Sequence, residues 1–224
     1  MTAIPTRVLY YGKDEDLPER IPLRAGPLTL VYEAGDLRTI KLGDREVLRR
    51  IYVAIRDRNW GTVPNVLTNL VMDVHPDHFA ISFDVGNHEG PIDFAWRGVI
   101  TGAPDGTITY AMQGIARSTF MRNRIGFCIL HPAEIAGAAC TIEHVDGTPE
   151  QAALPVLIQP QQPLKPFDEL AALTHTVEPG LRAELRFTGD IFEMEDQRNW
   201  TDASYKTFCT PLRIPYPVEV AAGT

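Results

Sequence analysis

The chain has 224 residues, 44% hydrophobic and 22% charged, which suits one large globular domain with a sizeable core and excludes a fibrous or disordered chain. A formal charge of -8 argues against a phosphate-backbone partner, so no nucleic acid is expected. Three cysteines without a CxxC pair, an opening without an apolar leader core and no run of membrane-spanning length read as a cytoplasmic protein with reduced thiols and no membrane partner.

Turn residues divide the chain at short, regular intervals. Leu28–Glu33 and residues 37–42 flank Ala34-Gly35-Asp36, a hairpin whose three-residue loop uses glycine for a positive φ. Leu42-Gly43-Asp44-Arg45 gives the next turn. From Arg50 to Trp60, period two puts Ile51, Val53 and Ile55 on one face and Arg50, Tyr52, Arg56, Arg58 and Trp60 on the other. Residues 61–78 are less regular. His75 and His78 beside Asp73 and Asp77 are of ligand type but lack a third partner in fixed geometry, so no metal is expected.

Residues 79–85, 92–100 and 107–112 form a meander, punctuated by signals such as Ala103-Pro104-Asp105-Gly106. Within residues 117–132, Ile125, Phe127 and Ile129 point inward with Asn123 in their line, while Arg122, Arg124, Gly126 and Cys128 take the opposite face. Residues 147–175, with Pro155, Pro160, Pro163 and Pro166, read as a long connection in which residues 167–173 supply the one short helical segment. Strands resume at 181–187. The expected fold is all-β, a large antiparallel β-sandwich of two sheets with roughly a dozen or more strands.

Chemistry concentrates in residues 192–212, FEMEDQRNWTDASYKTFCTPL. Glu193, Glu195 and Gln197 share one face of a regular strand, neighbours lying about 6.8 Å apart, and two carboxylates so spaced suit divided acid and base work. Arg56, Arg58, Arg122 and Arg124 offer the opposite charge from two other strands, and a closed structural Arg/Glu network is the favoured reading of both sets. Arg58-Asn59-Trp60 recurs as Arg198-Asn199-Trp200 at a second strand end. Joined by Asp202, Ser204 and Tyr205, these residues are the kit that recognises polyols and sugar lactones, hydrogen-bonding groups beside an aromatic platform; the indoles read equally as core-edge aromatics. The candidates for substrate binding or domain docking are therefore Arg56, Arg58, Asn59, Trp60, Arg122, Arg124, Glu193, Glu195, Arg198, Asn199, Trp200 and Asp202. No cofactor is called for. Ser118 and Ser204 lack a nucleophile-elbow turn, and alternation puts Cys128 in a strand interior, so no catalytic residue is assigned.

Three long blocks, LRAGPLTLVYEAGDLRTIKLGDREVLRRIYVAIRDRNWGTVP at 23–64, RSTFMRNRIGFCILHP at 117–132 and the 192–212 stretch, resemble the N-terminal region of the D-apionate lactonases. The resemblance implies an enzyme of apiose catabolism that hydrolyses the intramolecular ester of D-apionolactone to D-apionate, with this β-sandwich followed by a (β/α) barrel and a further β region. The chain holds no βα alternation, and Ala221-Ala222-Gly223-Thr224 reads as a turn leading into another element. Residues 1–224 are thus expected to form a single sandwich domain, the N-terminal part of a longer chain whose barrel carries the chemistry. Its expected partners are a sugar lactone or polyol substrate and that barrel. Two rivals are a free-standing carbohydrate-binding module without turnover and an aldose epimerase-like sandwich using a His and a Glu, which the lack of His in 192–212 disfavours.

Overall fold

A computed structural model describes residues 4–224, so the first three residues of the expected 1–224 domain lie outside the described residues. Helix α1 (Thr6–Tyr11) ends at Gly12, which takes the left-handed conformation that closes many helices. Four antiparallel strands follow: β1 (Ile21–Ala25), β2 (Leu28–Glu33), β3 (Asp36–Leu42) and β4 (Arg45–Asp57). The β2–β3 loop has two residues rather than three, because Glu33 pairs directly with Asp36. Ala34 and Gly35 both have positive φ, as a tight hairpin whose twist matches its strands requires.

A second meander comprises β5 (Val66–Val74), β6 (Phe79–Glu89), β7 (Ile92–Gly102) and β8 (Ile108–Ala116). The chain returns as β9 (Phe120–Pro132), then builds β10 (Ala139–His144), β11 (Pro149–Ala153), β12 (Leu170–Glu178) and β13 (Leu181–Arg186). Finally β14 (Glu193–Asp196), β15 (Ser204–Phe208) and β16 (Val218–Val220) rejoin the first sheet.

The architecture is an antiparallel all-β sandwich, with the second layer divided. One eight-stranded sheet runs β1-β2-β3-β4-β9-β15-β14, β16 adding to β9; the two other sheets are β5-β6-β7-β8 and β11-β10-β12-β13. Both four-stranded sheets cover the same face of the large one. Tyr32 meets Phe83 at 6.1 Å and Phe127 meets Tyr110 at 5.0 Å on one side, and His131 meets His175 at 5.9 Å on the other. Phe127 and His131 lie four residues apart on β9, hence on one face. Among the described residues no helix is long and apolar enough to cross a membrane, and the three cysteines are free and buried.

Two segments differ from the sequence expectation. Residues 61–78 contain β5, an edge strand exposed on both faces and interrupted by a bulge between Thr68 and Val71, so no buried face imposed alternation. The expected helical turn at 167–173 is instead the approach to and start of β12: Leu170, Ala172 and Leu173 pair with β10 and β13, and sheet pairing overrides the helix propensity of the Glu-Leu-Ala-Ala-Leu run. The long connection shortens to 154–169, since Pro149–Ala153 is strand.

Two histidines are locked between the layers. His131 Nε2 lies 2.8 Å from Thr207 Oγ1, whereas His131 Nδ1 and both ring nitrogens of His175 have no partner. Burial, reinforced by the neighbouring His175, pushes the His131 pKa down to about 3, and burial also lowers that of His175. The fold therefore holds both rings neutral, while the unfolded chain takes up protons below about 6.5. Their contribution is complete above that value and is lost as pH falls toward the folded-state pKa. Urea unfolding between pH 7.5 and 5.5 should show stability falling with acidity, His131 alone giving a slope that approaches about 1.4 kcal/mol per pH unit and His175 adding to it in the same direction; His175→Phe should flatten the profile, and an equally steep profile in that variant would remove His175 from the account.

Candidate functional site

The outer face of the large sheet is built by the even-numbered residues of β4, β9 and β15 and the odd-numbered ones of β14. Tyr52 pairs with Cys128, Cys128 with Phe208, and Phe208 with Glu193; one register further, Ala54 pairs with Gly126. Ala54, Cys128 and Phe208 form a small second core with Tyr52 and Leu212. The Ala54/Gly126 pair leaves the floor low. Gly126 has φ 149, and a Cβ there would strike the Cys209 sulfur, so neither the backbone nor the space admits a larger residue.

Above this floor lies a trough of about 410 Å³. Arg56, Arg124, Lys206 and Glu195 line it, with Gln162 and Gln197, and the indoles of Trp60 and Trp200 stand at its rim, 44% and 55% exposed. Each Trp follows the C-terminal end of its strand. Because β4 and β14 run in opposite directions, the two rings come from opposite ends of the sheet.

Arg124 is 4% exposed and takes no carboxylate partner. Its Nη1 donates to Asn123 O at 2.9 Å and its Nη2 to Pro211 O at 3.3 Å, while Nε has no acceptor. The guanidinium lies 5.3 Å from the Trp60 ring centroid and 4.7 Å from that of Tyr216, and these two rings meet edge to face at 5.1 Å. Burial pushes the Arg124 pKa down, with the Glu193 charge acting in the opposite sense. Glu193 is buried and accepts the Leu212 N–H at 2.6 Å; burial nevertheless raises its pKa. Glu195 is ion-paired with Lys206 and accepts from Gln197 Nε2 at 3.1 Å.

The expected closed Arg/Glu network does not form. Register explains this: Glu193 lies level with Cys128, so Arg124, four residues along β9, is displaced by roughly 14 Å of strand, and Glu195 lies further still. Lys206 on the adjacent strand takes Glu195 instead, and Arg56 turns to Thr62 Oγ1 and to Trp60 O at 3.2 Å.

Of the candidates read from sequence, Arg56, Trp60, Arg124, Glu195 and Trp200 line the trough, with Glu193 beneath it. Arg58 and Asn59 sit exposed in the turn after β4, Asn59 N–H donating to Asp57 Oδ1 at 2.7 Å. Arg122 donates to Asn123 O at 3.2 Å beside β16, and Asn199 and Asp202 are exposed. Arg198 belongs to the opposite face. It forks onto Asp196 at 2.8 Å twice, holds Pro155 O at 2.9 Å and Val156 O at 3.1 Å, and covers the Tyr205 ring. Burial raises the Asp196 pKa, but the Arg198 hydrogen bonds and the Gln159 N–H outweigh it, and the net shift is downward. The two Arg-Asn-Trp copies thus share their indoles and not their arginines.

Lys206 and Gln162 were not singled out from sequence. Alternation along Ser204–Phe208 carries a signal for Lys206 once β15 is paired with β14; Gln162 lies in the 154–169 connection, where no periodicity marks it. Among the described residues no group of three or more His, Cys, Asp or Glu is placed to hold a metal ion, and no His lines the trough. Burial raises the thiol pKa of Cys128 and of Cys209, so neither is an activated nucleophile. A larger cleft of about 640 Å³ lies over the inner face of the large sheet between β8 and β13, floored by Ile51, Phe127 and Ile129; among its charged lining residues Arg186 is ion-paired with Glu184.

A family model described as "D-apionate lactonase, N-terminal domain" matches residues 8–224. A protein of Brucella anthropi named "D-apionate lactonase" is 41% identical over 222 residues, covering 96% of this chain and 35% of its own length. The chain therefore spans 35% of the curated relative it matches.

Trp60 carries a further mark of a specialised position. Its φ is 70, in the left-handed region where a bulky side chain costs on the order of 1–2 kcal/mol. The turn is held by Asp57, whose carboxylate accepts the N–H groups of Asn59 and Gly61 at 2.7 Å each. Glycine relieves this strain and alanine does not. In urea unfolding, Trp60→Gly should therefore be at least as stable as Trp60→Ala, reversing the usual order by about 0.5–1 kcal/mol; a glycine variant clearly less stable than the alanine variant would show that the turn is unstrained.

Proposed function

Because this chain belongs to the D-apionate lactonase N-terminal domain family, we propose that it is the N-terminal β-sandwich of an enzyme that hydrolyses D-apionolactone to D-apionate. Its trough is the face that meets the rest of the polypeptide and walls part of the substrate pocket. The observation that carries this reading is the match itself: 96% of this chain aligns with 35% of a protein named for that activity. The trough supplies the physical means, two indoles framing a cavity whose size and mixed polar lining suit a small polyol.

Opening a lactone needs a positioned ring, an activated water and stabilisation of the oxyanion that forms on the carbonyl. The trough is suited to the first. An indole face packs on the C–H face of the ring, while Arg56, Gln162 and Gln197 offer to hydroxyls the N–H groups left over from their bonds to Trp60 O and Thr62, to Gln159 O and to Glu195. It is poorly suited to the second: Glu195 is occupied by Lys206, and Glu193 is buried under the floor with its carboxyl biased toward the protonated form. Acid–base work accordingly falls to the remainder of the longer polypeptide, and the sandwich positions.

Turnover of D-apionolactone by the full-length relative should exceed that of residues 1–224 alone by several orders of magnitude; comparable rates would overturn this division of labour. Within a full-length enzyme, replacing the residue equivalent to Trp200 with Ala should raise KM about tenfold, the loss of one aromatic platform at about 1.4 kcal/mol, with kcat within about twofold. An unchanged KM would remove the trough from the substrate pocket. Saturable sugar binding by a full-length protein without turnover would instead favour a carbohydrate-binding module.

A further inference from the structure

A buried guanidinium needs an anion. Leaving one without a carboxylate is among the costlier arrangements in a protein interior, and Arg124 has only two backbone carbonyls and two aromatic rings. The nearby carboxylates are already engaged. Glu193 accepts the Leu212 N–H, Asp190 accepts the Thr210 hydroxyl at 2.8 Å, and Asp57 holds the turn after β4. Lys206 and Glu195, neighbours on adjacent strands, neutralise each other, so the lining retains two cations without an ion pair, Arg56 and Arg124, the second of them acted on only at longer range by Glu193 and Asp190, in a chain whose formal charge is -8.

We propose that the trough is a carboxylate-binding site, and that its ligand is a small polyhydroxylated acid. The carboxylate lies against Arg124 and Arg56, the carbon chain packs along Trp60, and the hydroxyls reach Gln162, Gln197 and the Lys206/Glu195 pair. Three features carry this. Arg124 lines the cavity while nine-tenths buried and incompletely satisfied. Apart from Arg56 the remaining lining is amide, aromatic, aliphatic, thiol or internally paired, so no unpaired negative charge opposes the anion. The volume of about 410 Å³ lies within the ordinary range for small-molecule sites. The carboxylate requirement stands on Arg124 alone; only the assignment of the acid as an aldonate, the class released when a sugar lactone is opened, rests on the function proposed above.

The test is a titration of the 224-residue chain followed by tryptophan fluorescence, since Trp60 and Trp200 frame the site. Gluconate is the probe, with glucitol as the neutral polyol of equal length and acetate as the anion without a polyol chain. Gluconate should give a saturable change, with glucitol and acetate each at least tenfold weaker. Arg124→Lys and Arg56→Gln should each weaken gluconate at least fivefold, the second serving where the first does not fold, while the double change Lys206→Gln with Glu195→Gln should alter it less than the arginine changes do.

Equal affinity for gluconate and glucitol, or no saturable change with gluconate, overturns the proposal. Binding by the 224-residue chain that vanishes in a full-length relative also overturns the ligand assignment, because an acidic side chain of the longer polypeptide then occupies the place. None of these outcomes alters the KM effect expected for Trp200, so the two readings fail separately.

Discussion

Everything in this fold depends on the antiparallel pairing of β4 with β9. Both are thirteen-residue strands at the middle of the large sheet, and their register decides which side chains face the two smaller sheets and which face outward. Ile51 opposite Ile129 and Val53 opposite Phe127 supply the floor of the main core; Tyr52 opposite Cys128 and Ala54 opposite Gly126 supply the floor of the trough. A slip of one residue would exchange the two sets, placing Arg56 and Arg124 in the core and the branched aliphatics in water. Core and site are thus two readings of one register, and neither can shift without the other.

That register also explains which parts of the site were legible in the sequence. Period-two alternation in residues 50–60 and 122–129 separates an aliphatic line from an Arg-bearing line, and the structure keeps that separation along both strands. Alternation says nothing about how far along the sheet two charges lie once paired. Arg124 and Glu193 fall on the same face, yet offset along the sheet they meet only through the Pro211–Leu212 peptide, whose carbonyl takes the Arg124 Nη2 and whose N–H goes to Glu193, so the expected network does not close. The repeated Arg-Asn-Trp was informative for the same limited reason. It marks two strand ends whose tryptophans share a cavity, but Asp196 on the opposite face of β14 draws Arg198 away, and a linear motif cannot report that competition.

Local pattern was weakest where both faces of a strand are exposed or where pairing is distant. The edge strand β5 has no buried face to write a period into it, and the Leu-Ala-Ala-Leu run of β12 is helix-prone in isolation. What makes that run a strand is two partners, one from each side, of which β10 precedes it by about twenty-five residues of sequence. Gln162 is the hardest case. It reaches the trough because Arg198 and Asp196 tie down the 154–169 connection at Pro155 O, Val156 O and the Gln159 N–H, a set of contacts visible only after folding.

The trough concentrates features that weaken a fold. A tryptophan sits at a positive φ, and a guanidinium is buried without a carboxylate partner. Elsewhere the same chain shows how such groups are handled when stability is the aim: Arg198 is forked onto Asp196, and Asn87 satisfies its amide on Pro64 O, Asn65 Oδ1 and Trp96 Nε1. The contrast lies within a single chain, between Arg198 and Asn87, which are paired, and Arg124, which is not. Unpaired buried atoms occur on both faces; on the inner face they are neutral, the Tyr32 hydroxyl, the Asn123 amide oxygen and the two histidine rings, whereas on the outer face they include Nε of the charged Arg124, beside two exposed indoles. A neutral unpaired group forfeits only its hydrogen bond, whereas a buried charge forfeits its hydration as well, and that difference singles out Arg124 among the unpaired groups.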